Sequence, residues 1–157
     1  MCIRDSFENL IVTRTFSKIY GLASLRLGYG ITSSKFADLL NRARQPFNVG
    51  GLTLAAGVVA LSDDEFVIES RQENEKGLRQ LEKGLDELGL PWIPSGGNFL
   101  AVDCDRDGQE LFRELLKEGV IVRAIGEYGM PNHIRVSVGL PEENTRFLNS
   151  LAKVLGA

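Results

Sequence analysis

Between positions 13 and 30 the chain reads TRTFSKIYGLASLRLGYG, a stretch that gathers Thr15, Ser17, Lys18, Ser24 and Arg26 among leucines and glycines. These residue types have a joint chemistry. A lysine amine that sheds its proton condenses with an aldehyde, and burial or neighbouring positive charge lowers its pKa enough for that. Lys18 follows an apolar run and precedes a glycine-bearing turn, a setting that predicts desolvation. The hydroxyls of Thr15 and Ser17 are donors for a phosphate, and the Arg26 guanidinium matches phosphate oxygens two at a time. The set suits a phosphorylated aldehyde held beside the amine that binds it. A Ser-Lys dipeptide taken alone is most often solvent-exposed, so the argument rests on the combination.

A second set lies in VIVRAIGEYGMPNHIRVSVG, two strand-like runs separated by Gly126, Gly129, Pro131 and Asn132. This is a hairpin pattern with a longer loop. A turn centred on Gly129 puts Arg123 and Arg135 opposite each other, six residues to either side. Like charges facing across a ladder repel, and a bound anion would relieve the repulsion, whereas side chains splayed in water would only reduce it. Strand alternation sets His133, Arg135 and Ser137 on one face and Ile134, Val136 and Val138 on the other. Arg135 therefore points away from the apolar set. His133, the only histidine, takes no role, because a lone histidine at a strand edge is usually structural or exposed. Asn98 in SGGNF suits either a stabilised turn or proximity to a ligand.

The elements that must hold these residues alternate along the chain. NLIVTRTF reads as a buried strand and RLGYGITSS as a second short one, with Ser33 or Ser34 capping a helix through KFADLLNRAR. Two buried strands make no sheet core alone, so their neighbours are expected on the N-terminal side. TLAAGVVALS predicts a helix of small apolar residues suited to a crowded interior. Asp63 and Asp64 cap a long helix reaching about Leu88, with a solvated charged run and then Leu78, Leu81, Leu85 and Leu88 on its core face. Beyond it come strands in NFLAVDC, VIVRAI and HIRVSVG, a helix in GQELFRELLKEG, and a last helix from Pro141 to about Leu155. The expected division is a leader at 1 to 6 that reads as non-native, an N-terminal part at 7 to 62 and a smaller C-terminal domain at 63 to 157.

Bulk properties exclude several classes. Of 157 residues, 43% are hydrophobic and 25% charged, with a net charge of -3, which is neither disordered nor basic enough for nucleic acid. Any anion site is then local. Cys2 and Cys104 form no CxxC or Cys/His cluster, which points away from disulfides and metal and toward a reducing cytoplasm. No apolar run approaches the ~20 residues of a membrane span.

The pattern T-x-S-K-x-x-x-L-A-S-L-R-x-G-Y, from Thr15 to Tyr29, resembles the lysine segment of the fold-type I pyridoxal-phosphate aminotransferases. More narrowly, RTFSK, LASLRLGYG, GGNF and HIRVSVGLPEEN lie in the order and spacing of the histidinol-phosphate aminotransferase family, from about Asn9 to the end. The resemblance implies an α/β fold: the end of the large cofactor domain followed by the small α+β C-terminal domain. It implies pyridoxal 5'-phosphate bound covalently at Lys18, its phosphate held by Thr15, Ser17 and Arg26. Arg135 would clamp a substrate α-carboxylate and Arg123 a distal phosphate or carboxylate. Tyr20 reads first as a packing aromatic. The implied reaction moves an amino group between histidinol phosphate and 2-oxoglutarate, in a cytoplasmic homodimer without nucleic-acid or membrane partners.

In that family the groups around the pyridine ring precede the lysine, and only seventeen residues precede Lys18 here, with Asp5 in the leader. The chain is thus expected to carry half a site and to be inactive alone. A related amino-acid phosphate decarboxylase, or a non-catalytic fold that keeps the pattern as packing, are the alternative readings.

Overall fold

The computed structural model describes residue 7 and residues 9 to 156. The expected leader lies outside the described residues. The chain forms two compact units, Met1–Ser70 and Arg71–Ala157, with the division inside the longest helix.

In the first unit, β1 (Val12–Thr15) and β2 (Gly28–Ile31) pair antiparallel, with Val12 opposite Ile31 and Thr15 opposite Gly28. The chain between them is drawn closed by backbone bonds from Phe16 N–H to Leu27 O (3.1 Å) and from Leu22 N–H to Phe16 O (3.0 Å). Phe16 and Leu27 are buried. Helix α1 (Ser34–Ala43) has Ser33 at its N-cap, but no side-chain bond caps it. Helix α2 (Gly51–Leu61) approaches Leu27 through Gly57, where a Cβ would lie 2.5 Å from the leucine Cδ2.

Two expectations of burial are not met within this chain alone. Most of β1 is exposed rather than buried, because the sheet has two strands and Thr13, Arg14 and Thr15 supply no apolar face. Nor does α2 sit in a crowded interior: Leu52 is 90% exposed and Val58 70%. Small apolar residues are necessary for close packing, but only Gly57 meets a neighbour closely enough to be buried.

Helix α3 (Asp64–Glu87) begins where the Asp63 carboxylate accepts from Phe66 N–H at 3.1 Å. In the second unit β3 (Trp92–Ile93), β4 (Phe99–Asp103), β5 (Arg123–Ala124) and β6 (His133–Ser137) form an antiparallel sheet ordered β3-β4-β6-β5. Alternation sends Leu100, Val102, Ile134 and Val136 to one face, where they are buried against Leu81 and Leu85 of α3. Leu111 and Leu115 of α4 (Gly108–Lys117) and Phe147 and Leu151 of α5 (Pro141–Leu155) complete that core. The leucines recur every three or four residues, the period of one helix face.

Asp107 caps α4 by accepting from Gln109 and Glu110 N–H, while Pro141 opens α5 and Gly156, at φ 75°, closes it. VIVRAI contributes a shorter strand than expected: only Arg123 and Ala124 reach the ladder, and Ile121 is 80% exposed. Trp92–Ile93, which the sequence pattern did not reveal, forms the opposite edge. Among the described residues no helix is long and apolar enough to cross a membrane.

Candidate active site

Each unit carries one of the two residue sets. In the first, Thr15 ends β1 and the chain turns at once: Ser17 N–H donates to Thr15 Oγ1 at 3.0 Å, and Gly21 N–H donates to Lys18 O at 2.8 Å. One turn of 3-10 helix, Ala23–Leu25, ends on Arg26, whose backbone is left-handed at φ 52°. Arg26 Nη1 donates to Ala23 O at 2.7 Å and reaches Ser17 Oγ at 3.5 Å. Gly28 is required where β2 begins, because a Cβ would lie 2.8 Å from Arg14 O.

The loop thus brings Ser17 to both Thr15 and Arg26, with Lys18 adjoining. Among the described residues no carboxylate pairs with Lys18 or Arg26. Within this chain Lys18 is exposed, although Phe16 two residues before it is buried, so the expected desolvation is not met by the described residues alone. Ser24 is exposed also. Tyr20 stacks on Phe16 with ring centroids 4.9 Å apart, and Tyr29 lies at 6.0 Å from the same ring, so both aromatics frame the turn by packing.

In the second unit the ladder sets Arg123 directly opposite Arg135. Their mutual repulsion is not left to a bound anion, because Arg123 Nη2 is paired with Glu127 Oε1 and lies 3.4 Å from Tyr128 Oη. That carboxylate and phenol hold the guanidinium pKa above its ordinary value. Arg135 differs. It is half-buried, its guanidinium lies 5.1 Å from the Phe99 ring centroid, and its Nε is buried without a hydrogen-bond partner. A cation over an aromatic face keeps all its donors free for an oxyanion, whereas an ion-paired arginine keeps only those its partner leaves unused.

Both arginines line a cavity of about 590 Å³ with Glu143, Asn144 and Arg146. Sequence reasoning overlooked Glu127, Tyr128 and Asn144. Glu127 stands four residues after Arg123, a spacing that one 3-10 turn (Gly126–Tyr128) converts into contact; Asn144 offered no local signal.

The model of the family described as aminotransferase class I and II matches residues 4–151. A histidinol-phosphate aminotransferase 2 of Pseudomonas fluorescens is 60% identical over 150 residues, covering 96% of this chain and 40% of that protein. The chain therefore spans about 40% of the length of such curated relatives. The crystal structure of histidinol-phosphate aminotransferase from Sinorhizobium meliloti in complex with pyridoxal-5'-phosphate is 29% identical, with a TM-score of 0.87 over 95% of this chain and 42% of that one. L-threonine-O-3-phosphate decarboxylase from Porphyromonas gingivalis shares the fold at 21% identity, with a TM-score of 0.84 over 98% of this chain and 49% of its own. With one family model running through both the lysine loop and the paired arginines, the chain belongs to the aminotransferase class I and II family.

Proposed function

We propose that this chain is the lysine-bearing part of a pyridoxal-phosphate-dependent aminotransferase that passes an amino group between histidinol phosphate and 2-oxoglutarate in histidine biosynthesis. The observation that carries the reading is the loop in which Ser17 meets both Thr15 Oγ1 and the Arg26 guanidinium beside Lys18. The choice of substrate follows the name of the relative at 60% identity.

The residues present fit the cofactor chemically. Two hydroxyls, an arginine without a carboxylate partner among the described residues and a primary amine are the donor set for a phosphate dianion and an aldehyde. When bound, pyridoxal phosphate supplies the electron sink for labilising the substrate α-hydrogen. The protein's share is orientation and proton transfer. Thr15, Ser17 and Arg26 would hold the phosphate, and the Lys18 amine would bind the aldehyde. Lys18 Nζ, as a free base, would hold the proton removed from the substrate α-carbon.

Arg135, with its donors free, holds the α-carboxylate of the oxo or amino acid, and Arg123 a distal phosphate or carboxylate through the guanidinium nitrogens other than Nη2, which Glu127 and Tyr128 engage. The reading includes a division into residues 7 to 62, belonging to a larger cofactor domain, and 63 to 157, a small domain. It includes a cytoplasmic homodimer as the working form.

The test uses the full-length protein that contains this segment. Histidinol phosphate and 2-oxoglutarate are expected to yield glutamate, and an amino-acid phosphate offered in place of histidinol phosphate is expected to release no carbon dioxide. Borohydride reduction and peptide mapping are expected to label Lys18, and Lys18→Ala to lose both the label and the turnover. Carbon dioxide release would favour the decarboxylase chemistry, and a label on Lys35 or Lys76 would overturn the assignment of the lysine.

A further inference from the structure

Asn144 is a buried polar side chain of the second unit, 2% exposed. A buried amide is tolerated only when its donors and acceptor are used. Here Oδ1 accepts from Gly139 N–H at 2.9 Å, while Nδ2 donates to Gly139 O and to Gln80 Oε1, each at 3.1 Å. Reversing the amide would set Nδ2 against the Gly139 N–H, so the network fixes its orientation. One side chain therefore grips both backbone groups of Gly139, just past the end of β6.

Gln80 is held in turn, its Nε2 donating to Pro141 O at 2.9 Å and to Thr145 Oγ1 at 3.0 Å. Three residues earlier on α3, Gly77 leaves no room for a side chain, since a Cβ would lie 2.3 Å from Val138 Cγ1. Three earlier again, Asn74 Nδ2 donates to Gly97 O at 3.0 Å, and Val138 N–H donates to Asn98 O at 2.9 Å. Residues three apart share a helix face. That face of α3 therefore holds the turn before β4 and the turn after β6 against one another.

Between those turns lie Phe99 and Arg135. Phe99 is opposite Ser137 in the ladder, two residues from Arg135, and its ring carries the guanidinium. Any slip of residues 137–139 along 97–99 would move the arginine off the ring. We propose that Asn144, seated by Gln80, is a positioning residue that holds Arg135 in the geometry that receives the substrate carboxylate. This rests on the reading of Arg135 as a substrate-binding residue.

The experiment is a double-mutant cycle in the full-length, cofactor-loaded enzyme, following KM and kcat separately. Asn144→Ala is expected to raise KM for 2-oxoglutarate about tenfold while kcat stays within about threefold. In an Arg135→Ala background it is expected to add nothing further, because the residue acts through that arginine. Gln80→Met is expected to raise KM in the same direction by less, and it serves if Asn144→Ala does not fold. Cofactor absorbance should be unchanged in all of them. A rise that simply multiplies that of Arg135→Ala, or a loss of kcat at constant KM, would overturn the proposal. So would an unchanged KM in Asn144→Ala and Gln80→Met beside a raised one in Arg135→Ala. If Arg135→Ala itself leaves KM unchanged, the substrate-arginine reading fails and this inference falls with it.

Discussion

At the scale of single residues, Arg26 combines a strained backbone with a proposed ligand contact. Its left-handed φ of 52° is a conformation that glycine adopts freely and a β-carbon opposes, by about 1 kcal/mol. Arg26→Gly and Arg26→Ala should therefore separate two effects. Both remove the guanidinium and are expected to weaken pyridoxal phosphate binding in the full-length protein about thirtyfold, the equivalent of ~2 kcal/mol for a charge-assisted contact. Only the glycine variant also relieves the backbone, so it should unfold at higher urea than the alanine one. Cofactor titration and urea melts check the pair, and wild-type affinity in either variant would remove Arg26 from the site.

Cys104 offers a second test at this scale. Burial raises its thiol pKa from 9.0 to about 12, the Asp103 carboxylate adds to the rise and the Arg106 guanidinium opposes it. The unfolded thiol ionises near 9.0 and the folded one does not, so the unfolded state binds fewer protons between those values. The contribution to stability is complete below pH 9.0 and is lost as pH rises toward about 12. Cys104→Ala should therefore show a shallower loss of stability than the parent across that window. Parallel slopes in denaturant melts would contradict the assignment.

At the scale of elements, two glycines on α3 make a paired prediction. Alanine in place of a mid-helix glycine favours the helix by about 1 kcal/mol. At Gly84 the added carbon would meet Leu148, a side chain with rotamer freedom, at Cδ1 (2.3 Å), Cδ2 (2.8 Å) and Cγ (3.1 Å). At Gly77 it would meet Val138 at 2.3 Å and Asn144 Nδ2 at 3.2 Å, a stiff β-branched residue and a buried amide fixed by three hydrogen bonds. Gly84→Ala should be close to neutral, whereas Gly77→Ala should destabilise by roughly 1–3 kcal/mol, the cost of overpacking. Thermal melts of the two variants decide it, and equal shifts would show that the α3 contact at Val138 yields easily.

At the scale of the whole molecule, the two units differ in what they bury. The second assembles its core from three helices and one sheet face, with Leu81, Leu85, Leu100, Leu111, Leu115, Ile134 and Leu151 wholly inaccessible. The first buries Phe16 and Leu27 among its large side chains and leaves the apolar residues of α2 open. Protection from hydrogen exchange follows the free energy of opening, and few buried contacts mean easy opening. Amides of β4 and β6 should therefore exchange slower than those of β1 by on the order of a thousandfold. Equal protection across both units would mean that β1 and β2 are far better supported than their exposure implies.

Local spacing carried much of this into the sequence. The leucine period of α3 and α4, the Pro141 and Gly156 punctuation of α5 and the alternation of β4 and β6 were all legible, because helix and strand periods are properties of neighbouring residues. The lysine motif was legible for the same reason, since Thr15 ends β1 and Ser17, Lys18 and Arg26 lie in the loop that follows it. The facing of Arg123 and Arg135 followed from counting around one turn. Burial was not legible in NLIVTRTF or TLAAGVVALS, because an apolar run records a capacity to be covered and not the presence of a cover. The partner of Arg123 and the role of Asn144 were hidden too. The first needed the 3-10 turn that folds Glu127 back, and the second needed α3 laid against the end of β6, bringing together residues 64 positions apart. Contacts between elements distant in sequence arise from how whole faces pack, so the tertiary structure alone decided them.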